Sequence, residues 1–193
     1  SMVQTADGAL VEVSNMLQRM RELTVQAASG TMSSTDVTAL NTEFQALRDQ
    51  IQEVAKNTEW NGTKLLDGSI GSTTAVSFQV GANASQTISV TFNDLNTDFN
   101  GTNSTTAATL ATGLLVGLGA EALGGGSGGT KDLIDSAVND TAIITTLTYA
   151  VSRIDVQRAK FGAAINRLEY AADNLSSISQ NTSASRSQVL DAD

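Results

Sequence analysis

The feature that most constrains this chain is a heptad stripe through its last fifty residues. From Ile143, positions alternately four and three apart read Ile143, Leu147, Ala150, Ile154, Gln157, Phe161, Ala164, Leu168, Ala171, Leu175, Ile178, Thr182, Ser185 and Val189. Only Gln157 and the two late positions Thr182 and Ser185 are polar. An apolar repeat of 3.5 residues stays on one side of a slightly underwound helix. Proline is absent from the chain, and Gly162 is the one glycine inside the stripe. At 1.5 Å per residue such a helix reaches roughly 75 Å, far beyond an ordinary helix of about 11–12 residues. It cannot bury its seam alone, so the rest of the chain must supply partners.

Two more stripes answer that demand. Val3, Ala6, Leu10, Val13, Leu17, Met20, Thr24 and Ala27 repeat at three and four, and Ser29-Gly30 stops them, with Gly30 suited to the left-handed position after a helix end. No capping residue precedes Val3, and Ser1-Met2 reads as an addition, so the pattern is expected to open partway along a longer natural helix. Val37, Leu40, Phe44, Leu47, Ile51 and Val54 form the third stripe. Ser33, Ser34 or Thr35 can cap it, and Asp36 suits the positive end of its dipole. The connection between these helices is short, which makes them an antiparallel hairpin. Asn61-Gly62 marks a turn, where Trp60 is expected to act as an anchor. The period then changes to two: Val76, Phe78 and Val80, then Ile88, Val90 and Phe92, around 81–85. This is the pattern of a β-hairpin with one apolar face laid on the helices. Residues 93–130 are rich in Asn, Thr, Ser and Gly; only 107–118 could form a short helix, and 124–129 is a flexible glycine run.

Among the 193 residues, 40% are hydrophobic but only 4% aromatic, so Ala, Leu, Val and Ile must build the core of a thin bundle. The expected fold is mainly α: an elongated antiparallel helical bundle or coiled coil with a small β-hairpin. A net charge of −9 argues against nucleic acid and against an anionic membrane surface. No stretch reaches 18 consecutive apolar residues, and no signal-peptide pattern opens the chain. The absence of cysteine fits a protein that works outside the cell.

Enzymatic chemistry finds few tools here. With neither His nor Cys, the usual general base, thiol nucleophile and zinc ligands are missing. The acidic residues lie on polar helix faces, where solvation accounts for them. Residues 124–131 lack the order of a phosphate loop. Asn96, Asp98, Asn100 and Gly101 resemble the start of a calcium loop, but Ala107 stands where the bidentate Glu belongs, so a polar turn is the better account. Asn-x-Ser/Thr triplets at Asn61, Asn83 and Asn103 are expected by chance in such a composition, and Met16 with Met20 is core packing. No catalytic residue, metal or cofactor is assigned.

Three separated motifs carry a resemblance. They are 17–27 (LQRMRELTVQA), 57–66 (NTEWNGTKLL) and 161–168 (FGAAINRL), the last followed by Asn174-Leu175 and Ser185-Arg186-Ser187. Together they resemble bacterial flagellin. The resemblance implies the rod domain of the outer filament tube, with 3–92 its N-terminal part, 93–130 a short variable outer segment, and 131–193 its C-terminal helix. It implies a structural subunit of the extracellular flagellum, with other flagellin subunits as partners. The segments that line the inner filament core have no counterpart, so this form is expected to be monomeric in solution. It further implies recognition by host Toll-like receptor 5 through Arg19, Leu23 and Glu43, with Gln18, Arg21 and Glu22 nearby. Arg19 and Leu23 are four apart and off the inward stripe, so both are expected on one outward face, with Glu43 brought beside them by antiparallel packing. A generic coiled-coil adaptor is the rival; it would show apolar stripes left exposed after the three helices pack.

Overall fold

The computed structural model describes residues 1–29, 31–70, 75–81, 83, 85–95 and 140–191. The expectations placed on Gly30, on the polar segment with its glycine run, and on the lead-in to the terminal helix at 131–139 lie outside the described residues. The described elements are three helices, α1 (Met2–Ala28), α2 (Ser34–Asn57) and α3 (Asp140–Asp191), and two antiparallel strand pairs. The first pair is β1 (Glu59–Trp60) with β2 (Thr63–Lys64); the second is β3 (Val76–Gln79) with β4 (Thr87–Val90).

Each helix follows its stripe. Ser33 caps α2: its Oγ accepts from the Asp36 backbone N–H while the Asp36 carboxylate accepts from the Ser33 N–H, a reciprocal capping box. The Ser33 hydroxyl, and then its N–H, hold the Asp36 carboxyl below the usual carboxylate range. α3 runs 52 residues without interruption.

α1 is the shared element: it packs against α3 on one side and α2 on the other. The seam with α3 is antiparallel. Asp7 pairs with Arg158 at 3.2 Å, whereas Gln18 and Val25 stand level with Thr148 and Val151. Val3, Ala6, Leu10, Val13, Leu17 and Met20 are buried there with Ile143, Leu147, Ala150, Ile154, Phe161 and Ala164. From α2, Phe44, Ile51 and Ala55 join the same core.

The β-hairpin lies on α3 through β4. Its register pairs Val76 with Val90 and Phe78 with Ile88, so the apolar residues share one face. Ile88, Val90 and Phe92 are buried, while Val76, Phe78 and Val80 on the outer strand are half-buried. Phe92 meets Phe161 with ring centroids 5.3 Å apart and planes tilted by 46°. The Asn61-Gly62 turn closes a small hairpin of its own, with Glu59 opposite Lys64 and Trp60 opposite Thr63. Both turn residues have positive φ, 50° and 77°, as a two-residue primed turn needs.

Trp60, expected to anchor this turn, pairs with Thr63 across it, is 39% exposed and lines a groove of about 330 Å³ with Phe78, Ile165 and Leu168. One expectation is corrected: the α3 seam stops short. Ile165, Leu168 and Ala171 are half-buried, but Leu175 is 38% exposed, Ile178 52% and Val189 73%. α1 at Met2 stands level with Leu168 and Ala172, and among the described residues nothing covers the stripe from Leu175 onward.

Phe161→Ala should therefore destabilise the bundle by about 3–5 kcal/mol, whereas Leu175→Ala should fall within about 0.5 kcal/mol, as exposed substitutions do. Thermal or urea denaturation of the two variants checks this; equal losses would refute the seam boundary.

Candidate functional site

The outer surface of α1 between Gln18 and Gln26 is where charge and exposed apolar area meet. Helical spacing sorts its residues into two flanks. On the α2 flank, Arg19 Nε donates to Glu43 Oε1 at 2.7 Å and its Nη1 to Glu22 Oε2 at 3.2 Å. One guanidinium thus ties two turns of α1 to α2. The hydrogen bond to Glu43, then that to Glu22, raises the Arg19 pKa further, so its charge is permanent. The ion pairs are solvent-exposed, so water and salt screen them. They orient the side chains more than they stabilise the fold.

On the α3 flank, Gln18, Arg21, Glu22, Val25 and Gln26 line an open groove of about 500 Å³, closed on the far side by Thr148 and Val151. Val25 is an exposed apolar side chain within this polar surface. It stands seven residues from Gln18 and four from Arg21, so periodicity could have placed it in the same patch.

Of the six residues singled out in the sequence, Gln18, Arg19, Arg21, Glu22 and Glu43 are exposed, and Glu22 joins the two flanks. Leu23 is the correction: it is fully buried, not outward. Two partners explain it. A helix held between α2 and α3 buries a wider arc than one heptad stripe, so Leu23 is covered together with its stripe neighbour Thr24. Thr24 makes this possible by donating its Oγ1 proton to the Met20 carbonyl at 2.8 Å.

Among the described residues no cluster of His, Cys, Asp and Glu could hold a metal ion, and no helix is long and apolar enough to cross a membrane. The patch combines an oriented cation, two carboxylates, amides and one exposed aliphatic group beside a shallow groove. Leu23→Ala should lower stability by about 2–5 kcal/mol, while Arg19→Ala should cost at most about 1 kcal/mol. Melting curves that rank them the other way would contradict the burial described.

Comparison with known proteins identifies the lineage. The bacterial flagellin N-terminal helical region matches residues 1–70, and the bacterial flagellin C-terminal helical region matches residues 144–193. Flagellin of Bacillus subtilis (strain 168) is 37% identical over 202 residues, covering 100% of this chain and 65% of the relative. Flagellin of Halalkalibacterium halodurans is 33% identical over 193 residues, covering 100% of this chain and 61% of the relative. The chain thus spans slightly less than two thirds of the length of these relatives. The crystal structure of Bacillus cereus flagellin superposes with a TM-score of 0.64 at 29% identity, covering 96% of this chain and 90% of that one. The two matched regions are the segments that α1, α2 and α3 bring together in one bundle, and the chain belongs to the bacterial flagellin family.

Proposed function

We propose that this chain is the rod of a structural subunit of the bacterial flagellar filament, exported from the cell and packed against other flagellin subunits. In this proposal 3–92 and 131–193 form the rod and 93–130 the outer segment. The observation that carries it is the α1–α3 seam: the two flagellin-matching ends close on each other along a stiff axis. A rigid rod with a polar outer surface suits heterologous contacts that do not close, which generate helical filaments. The family is structural and not one of enzymes.

The rival reading, a coiled-coil adaptor, draws support from the uncovered stripe at Leu175, Ile178 and Val189. In a filament the same stripe is surface available to neighbouring copies. Immunogold labelling with antibody to this chain separates the two. Gold along the length of the filaments is expected; label confined to the cell body would overturn the filament role.

A second role concerns host recognition. The exposed set Gln18, Arg19, Arg21, Glu22 and Glu43 supports binding to Toll-like receptor 5, with Arg19 as the central contact. Arg rigidified beside carboxylates is common hot-spot chemistry. Leu23 is buried in the core of the same stretch of α1 and offers the receptor no exposed contact. In this chain, Arg19→Ala should weaken binding to the receptor ectodomain by about 2 kcal/mol, roughly 30-fold. Titration by surface plasmon resonance checks it; equal affinities would reject the role.

A further inference from the structure

Gln157 is the polar break in the α3 seam, and it is 1% exposed. Its Nε2 donates to the Thr91 backbone carbonyl at 2.7 Å, just beyond the end of β4. Its Oε1 is buried with no partner among the described residues. The amide's orientation is fixed by chemistry, because only its nitrogen can donate to a carbonyl. One turn further on, Phe161 meets Phe92. Two α3 residues four apart therefore grip two consecutive residues of the hairpin.

A buried amide with one group unmatched is worse for stability than an apolar side chain of similar volume. Stability does not explain a glutamine here; register does. A slide of α3 by one heptad would put Ala150 or Ala164 where Gln157 sits, and Ile154 or Leu168 where Phe161 sits. All are apolar, so burial alone separates the registers weakly. The slide is resisted by the amide, which would enter an apolar seam with no acceptor. A single polar residue at a core heptad position is a known way to select one register at a cost in stability.

We propose that Gln157 is the register key of the rod. Its bond to Thr91 sets the axial position of α3 against the hairpin, and so against α1. The chain has no cysteine, so nitroxide labels go cleanly onto a Glu12→Cys, Tyr170→Cys background, both sites being exposed. Pulsed dipolar spectroscopy on the full chain then reads the α1–α3 offset. With Gln157 present, one distance is expected. With Gln157→Leu, a second population displaced by about 10 Å along the axis, one heptad of helix, should appear without a lower Tm. Gln157→Met, closer in shape, should do the same. A single unchanged distance in both variants would overturn the proposal. So would failure of both to fold, which would make Gln157 a stability residue.

Discussion

Burial of the α1–α3 seam is the interaction on which the rest of the molecule depends. Bringing two segments together across a loop on the order of 100 residues costs about 4 kcal/mol in closure entropy. A fully buried Leu, Ile or Phe contributes about 1.5–3 kcal/mol, so two or three seam residues offset that cost, and the seam holds about a dozen. Neither helix could stand alone. Once joined, they offer α2 a second face of α1 and offer the hairpin the flank of α3 at Phe161. The smaller elements are consequences of this pairing.

Much of this was legible in the sequence because periodicity reports burial directly. A repeat of 3.5 picked out three helices, and a repeat of two picked out the hairpin with its apolar face. What periodicity could not report is how many partners a helix has. Leu23 sits one position off the α1 stripe and looks outward until α2 and α3 are both in place. The distal α3 stripe failed for the opposite reason. The pattern continues through Leu175 and Ile178, but among the described residues no partner covers them. The strand pair at Glu59–Trp60 and Thr63–Lys64 is too short to show alternation, and only its turn left a signal.

The candidate site was legible in part. Resemblance indicated which residues to consider; the fold determined what each can do. Arg19 bridges α1 and α2 through Glu43, Gln18 and Arg21 line the groove, Glu22 both pairs with Arg19 and lines the groove, and Leu23 is buried in the core. Val25 was missed because an isolated apolar residue on a polar helix carries little weight until its neighbours are known. Gln157 was visible as a blemish in the stripe, but its meaning depended on Thr91, sixty-six residues away.

The central claim is that α1 and the proximal part of α3 are one cooperative unit despite their separation in sequence, while distal α3 is not part of it. Native-state hydrogen exchange tests this most directly. Amides of 6–23 and 147–164 are expected to share one opening free energy and to lose protection together as urea is added, with 175–189 exchanging far faster. Protection that runs evenly to the end of α3, or that persists in α3 after α1 has opened, would contradict it.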